Sequence, residues 1–209
     1  MVLVWVLAFA LAIAYYNVPV VQAGFQTLLG WKIRIGLAFA AMIGFIAGGI
    51  LPEVAKWLTR TLVKDENVFQ ESIFRGLVWG GLAIMVDTFY GFQALWFGTS
   101  IEPLNLAKKT AVDMFIFAPT IFVPYMVGMF AWRREHYRFS ALLSVFTPKG
   151  WKTEVFPTYV PNVCFWIVAL FAIYSMPTGL QYPLSALATA CWSILFVFLQ
   201  KRNAPAAVS

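Results

Sequence analysis

The sequence predicts an all-α fold, a polytopic transmembrane helix bundle of about six membrane segments, within a range of four to six. Two observations carry that prediction. Of 209 residues, 61% are hydrophobic and 11% charged, whereas a soluble domain has about a quarter of its residues charged. The apolar residues also cluster in runs close to the roughly 20 residues that a helix needs to cross a bilayer. The length suits one membrane domain, residues 1–209, with no separate soluble domain. The net charge of +6 does not point to nucleic acid, because the cations sit in short clusters between apolar runs, where they set topology.

Taken in order, the runs cover residues 2–21, 33–51, 74–97, 111–132, 160–176 and 182–200. The first ends at Val21-Gln22-Ala23, a signal-peptidase-like site before Gly24. The third and fourth are the clearest spans. Pro161 and Pro177 bound the fifth, which is short and is expected to span thinly or to be partly re-entrant. Pro119 and Pro124 should bend the fourth, since each removes a backbone donor. Cys164 and Cys191 lie inside apolar runs and read as buried thiols rather than a disulfide.

With all six runs crossing, Lys56, Arg60, Lys64, Arg75, Arg133, Arg134, Arg138, Lys149, Lys152, Lys201 and Arg202 share one side, and Lys32, Arg34, Lys108 and Lys109 lie on the other. That asymmetry follows the positive-inside rule and places both termini on the matrix or cytoplasmic side. Trp31, Trp57, Trp96, Trp132, Trp151 and Tyr159 fall near run ends, where amphipathic rings favour the headgroup level. Segment 139–159 mixes Phe139, Leu142, Leu143, Val145, Phe146 and Trp151 with Lys149 and Lys152, and is expected to form an interfacial helix and a turn.

Helices in lipid associate through small side chains that let backbones touch. Gly36, Ala40, Gly44 and Gly48 recur every four residues in the second run, and Gly76 and Gly80 do so in the third, so these two helices should pack closely. Ser185, Thr189 and Ser193 place three hydroxyls on one face of the last run. They either line a water path or bond back to the preceding turn.

Asp87 lies near the centre of the third run, where an ionised carboxylate costs about 3 kcal/mol and must face protein or water. It is either a site on an ion path or a helix-pairing group, with Thr88, Gln93 and the hydroxyl stripe as expected partners. Asp113 sits about a turn inside the fourth run, and an ion pair with Arg34 or Lys109 is expected. Arg75 should snorkel to the basic side. His136 has no second His or Cys near it, so no metal site is expected. No nucleophile with its base, phosphate-binding glycine loop or carboxylate dyad is present, so no enzyme is expected.

Ala107-Lys108-Lys109-Thr110-Ala111-Val112-Asp113, followed by Phe117-Ala118-Pro119, resembles a pattern of the Mpv-seventeen and twenty-two-kilodalton peroxisomal membrane protein family, with Met114 in place of its Gln. Trp31-Lys32-Ile33-Arg34 is similar to the opening of that family's first conserved helix, and Phe89-Tyr90 with Leu95 to its Trp-Tyr pair. Met176-Pro177 with Trp192 resembles its Val-Pro and downstream Trp. Gln181, Ala172 and Ile46 stand where the family has Arg, Asn and Asp. The resemblance covers residues 31–200 as a family-like helical core and leaves 1–30 as an N-terminal hydrophobic segment outside it. It implies a small protein of the mitochondrial inner membrane, or alternatively of the peroxisomal membrane, some relatives being solute channels.

Two functions are therefore expected. The first is a structural or accessory subunit of a larger, respiratory-type inner-membrane complex, since the spans are apolar on most faces and rich in Phe and Trp. The second is a small-solute or cation channel, suggested by Asp87, the hydroxyl stripe and the bent fourth run. Membrane lipids and other membrane subunits are the expected partners. Bound lipids are expected in place of any cofactor. Targeting should be internal, because neither an Arg-rich presequence nor a Ser-Lys-Leu ending is seen.

Overall fold

A computed structural model describes the backbone of residues 2–58 and 67–203. Side chains at 2–4, 55, 58, 191 and 193–203 fall outside the described set. Ser193, Cys191, Arg60, Lys64, Lys201 and Arg202 therefore lie outside the described side chains. Among the described residues the fold is all-helical, with 90% of them in helices.

Helix α1 (Val2–Asn17) runs into α2 (Pro19–Ile35) through a 100° bend. Pro19 explains it. A proline pushes the preceding residue out of the helical region, and Val18 is extended at φ −121° and ψ 106°. The first run is thus a broken pair rather than one straight span over 2–21, and α2 absorbs the stretch up to Ile35. Gly36, at φ 57° and ψ −132°, then breaks the chain again. Such a backbone suits glycine.

Helix α3 comprises Leu37–Phe45, a π-helical stretch Ile46–Ile50 and Leu51–Leu58. Helix α4 (Val68–Phe97) is capped by the Asn67 side chain, which accepts from the Gln70 amide at 3.3 Å, and it stops at Gly98. Helix α5 (Pro103–Arg134) opens with proline at its first position and widens to a π-helix over Asp113–Phe122. Short α6 (Phe139–Ser144) leads into α7 (Pro148–Tyr174), with a π-helical stretch Trp151–Val155, and then α8 (Thr178–Asn203).

Each π-helical stretch ends two residues before a proline, at Pro52, Pro124 and Pro157. A proline ring collides with the carbonyl four residues back. Widening the preceding turn moves that carbonyl away, so the helix continues where a sharp break would otherwise form.

Among the described residues, the α3 stretch Leu37–Val54, α4, α5 and α7 are long and apolar enough to cross a bilayer, and the α1 and α2 pair would make a fifth if it counts as one broken span. The fifth run is not short, because α7 extends it back to Pro148 over 27 residues. Residues 148–159 belong to that helix, while α6 and the following turn make up the rest of the segment expected at the interface.

Helices α3 and α4 meet backbone to backbone. A Cβ on Gly48 would lie 1.9 Å from Trp79 Cγ, one on Gly44 would lie 2.5 Å from Ala83 Cβ, and one on Gly49 would lie 2.7 Å from Gly76 Cα. Gly80 sits against the Ala41 carbonyl. Ala40 is buried and accepts from the Tyr182 hydroxyl of α8 at 2.7 Å. Gly36 is not part of this contact, having no atom within 4 Å of its missing Cβ. The core between α4, α5, α7 and α8 is filled by Leu82, Met126, Phe165, Leu170, Ile173, Leu184 and Trp192. Large apolar side chains on the outside, including Leu77, Leu95, Phe115 and Ile116, suit contact with hydrocarbon rather than water.

Candidate functional site

Polar groups converge inside this core. Asp113, the first residue of the π-helical stretch in α5, accepts a 2.7 Å hydrogen bond at Oδ2 from the Tyr174 hydroxyl at the end of α7. Gln93 of α4 donates to the Lys109 carbonyl at 3.0 Å and reaches the Tyr174 hydroxyl at 3.5 Å. Tyr90, one turn earlier, packs edge-on against Tyr174 at 5.4 Å and donates to Ser185 Oγ of α8 at 3.3 Å. Three tyrosine and serine hydroxyls thus connect α4, α5, α7 and α8.

Beside them lies a space lined by Asp113, Asn162, Tyr182, Ser185 and Thr189, with apolar walls that include Leu82, Val86, Phe117 and Leu170. Its cavity volume is about 30 Å³. A water needs roughly 10–15 Å³ by that measure, so there is room for about two. Asn162 is buried, and neither Oδ1 nor Nδ2 has a protein partner among the described residues. Trp166 Nε1, also on this wall, is unpartnered as well. Two donors and an acceptor without protein partners suit small molecules that both give and take hydrogen bonds.

The expected ion pair among Arg34, Lys109 and Asp113 does not form. Arg34 is exposed at the end of α2. Lys109 is 1% exposed, with Nζ 5.8 Å above the Tyr174 ring, and it makes no ion pair among the described residues. Asp113 keeps the regular four-residue register, its amide donating to the Lys109 carbonyl, but Tyr174 separates the two charges: its hydroxyl takes the carboxylate and its ring faces the amine. A cation over a tyrosine face offsets part of the cost of burying the amine.

Asp87 also has a different partner from those expected. Its Oδ1 lies 2.5 Å from Lys32 Nζ on α2, and that amine sits 5.6 Å over the Tyr182 ring. Thr88 instead bonds back to the Ile84 carbonyl at 2.8 Å. Lys32 is brought to this depth because the bend at Val18 turns α2 across the bundle, a fold-level effect absent from the local sequence.

At the other end of α3, a chain of charges joins three helices. Glu53 pairs with Lys56 at 2.8 Å and with Arg75, Arg75 lies 3.7 Å from Glu71, and Glu71 pairs with Arg133 at 2.6 Å. Arg133 further contacts the Tyr137 hydroxyl and lies 5.3 Å over the Phe74 ring. Arg75 therefore does not snorkel outward. It is buried, because the glycine contact draws Glu53 close enough to receive it.

Of the residues singled out from sequence, Asp113, Ser185 and Thr189 share the inner space, while Asp87 lies at its α2 edge through Lys32 and Tyr182. From sequence, Tyr90 enters only through the family resemblance, and Tyr174 and Asn162 do not enter at all. Asn162 was detectable as a carboxamide within an apolar run. The tyrosines were not, since phenolic rings are equally common at helix ends and interfaces.

In comparison with known proteins, the chain matches no family model, no curated protein and no solved structure.

Proposed function

We propose that this chain is a non-catalytic membrane protein that conducts a small cation, in the mitochondrial inner membrane or alternatively the peroxisomal membrane. The observation that carries the reading is the inner space bordered by Asp113, Asn162, Ser185 and Thr189. A carboxylate, a carboxamide and two hydroxyls inside an apolar bundle are costly to bury, and intramembrane ionisable groups of this kind belong to ion and solute paths. The resemblance to a family with channel-forming members supports the same reading.

The test is reconstitution of the purified chain in planar bilayers under a potassium chloride gradient. The expected result is a cation-preferring reversal potential that moves toward zero in Asp113→Asn. Absence of any conductance in the unmodified protein would overturn the reading.

The size of the inner space favours a second reading. Room for about two waters passes no organic solute, and suits a structural or accessory subunit of a larger inner-membrane complex, with other membrane subunits and lipids as partners. Migration of the untagged protein within a large assembly on a native gel, with crosslinks to other subunits, is the result expected from this alternative. Migration alone would remove it.

A further inference from the structure

The hairpin between α5 and α7 carries a second feature that neither functional reading uses. Helix α5 ends at Arg134, and the chain reverses through His136 and Tyr137, both in the left-handed region at φ 51° and 63°. Non-glycine residues enter that region at a cost, and two in succession need support. Tyr137 provides it by meeting the Trp132 ring edge-on at 4.9 Å and receiving a hydrogen bond from Arg133. The reversal is therefore built and lays α6 back against α5, with Leu142 over Gly128 and Val145 buried, so that the opposite face of α6 points outward.

Two sets of side chains are presented as a result. Phe139 and Leu143, four residues apart and on one face of α6, are exposed together with Phe146. Arg138, Lys149 and Lys152 are exposed as well. These three cations have no carboxylate partner among the described residues, in contrast to Arg133, Arg75 and Lys32, which are all paired. Arg134 is shared between Glu154 at 3.0 Å and Glu135 at 3.9 Å, so the hairpin's acids are directed to it. Three uncompensated cations beside three exposed apolar side chains match a bilayer interface carrying negative charge. The rings and Leu143 enter the acyl boundary, and the cations stand at phosphate depth.

We propose that this hairpin is a binding surface for the phosphate headgroups of anionic phospholipids in the leaflet that α6 lies on. Neutral lipids satisfy the apolar residues equally well, so selection comes from Arg138, Lys149 and Lys152. Each cation near an anionic surface contributes roughly a fivefold preference.

The experiment uses the full chain reconstituted in mixed phosphatidylcholine and phosphatidylglycerol vesicles, with spin-labelled forms of each lipid reporting relative association by electron paramagnetic resonance. The unmodified protein should favour phosphatidylglycerol, and Arg138→Gln, Lys149→Gln and Lys152→Gln should each lower that preference by up to about fivefold. Arg34→Gln and Lys108→Gln, which remove exposed cations outside the hairpin, should leave it unchanged. An equal loss in that control pair would overturn the proposal by making net charge sufficient. Displacement of phosphatidylglycerol by millimolar inorganic phosphate at constant ionic strength would overturn it too, since the site would then be one for free phosphate. Circular dichroism of each variant verifies that it is folded before its lipid preference is read.

Discussion

Lys32 and Asp87, 55 residues apart in the chain, form a 2.5 Å ion pair that fastens the end of α2 to the middle of α4. The carboxylate would be prohibitive in hydrocarbon alone, and the amine that compensates it comes from a helix turned through 100° at Val18. Removing either charge strands the other in a largely desolvated setting.

Asp87→Asn is therefore expected to destabilise the fold by about 3 kcal/mol and to speed amide exchange in residues 19–35. Unfolding in mixed micelles with increasing SDS, together with hydrogen exchange, measures both. The exchanged pair Lys32→Asp with Asp87→Lys should recover part of the loss. If exchange in α2 is unaltered in Asp87→Asn, the pair does not hold that helix.

A methyl group at Gly48 has nowhere to go, since its Cβ would overlap Trp79. Gly48→Ala should cost about 1–3 kcal/mol, as overpacking does. Gly30→Ala and Gly91→Ala, where no atom lies within 4 Å, should be neutral or slightly stabilising, because alanine favours helix. Thermal denaturation in detergent compares the three, and equal behaviour would show that α3 and α4 do not touch as described.

Tyr174→Phe deletes the 2.7 Å hydrogen bond to Asp113 while keeping the ring over Lys109. The expected loss is about 2 kcal/mol, the range for hydrogen bonds to charged groups. Tyr16→Phe removes an exposed hydroxyl contact to the Ser175 carbonyl and should cost about 1 kcal/mol or less. SDS unfolding of the two variants distinguishes a buried network from a surface contact.

Glu53→Gln leaves Arg75 and Lys56, both buried, without their shared carboxylate. A loss of about 3–5 kcal/mol follows from breaking a buried pair on one side. Glu71→Gln should cost less, since that side chain is 27% exposed and water screens the cation it leaves. Similar losses for both would mean that burial does not rank these two carboxylates.

Composition and apolar run length determined by themselves that this is a helical membrane bundle, because hydrocarbon tolerates no unpaired backbone and leaves few other folds. The spacing of Gly44, Gly48, Gly76 and Gly80 indicated the α3 and α4 contact, since a four-residue repeat of small side chains on a helix makes one ridge. What only the tertiary structure decided was which charge meets which. Lys32 read as a loop cation and pairs with Asp87 because Pro19 redirects α2. Asp113 reads as the partner of Arg34 or Lys109 and instead takes Tyr174, because the end of α7, 61 residues further along the chain, packs its hydroxyl against the carboxylate. Local periodicity describes one unbroken helix at a time, whereas these pairings depend on a bend and on contacts between helices distant in sequence.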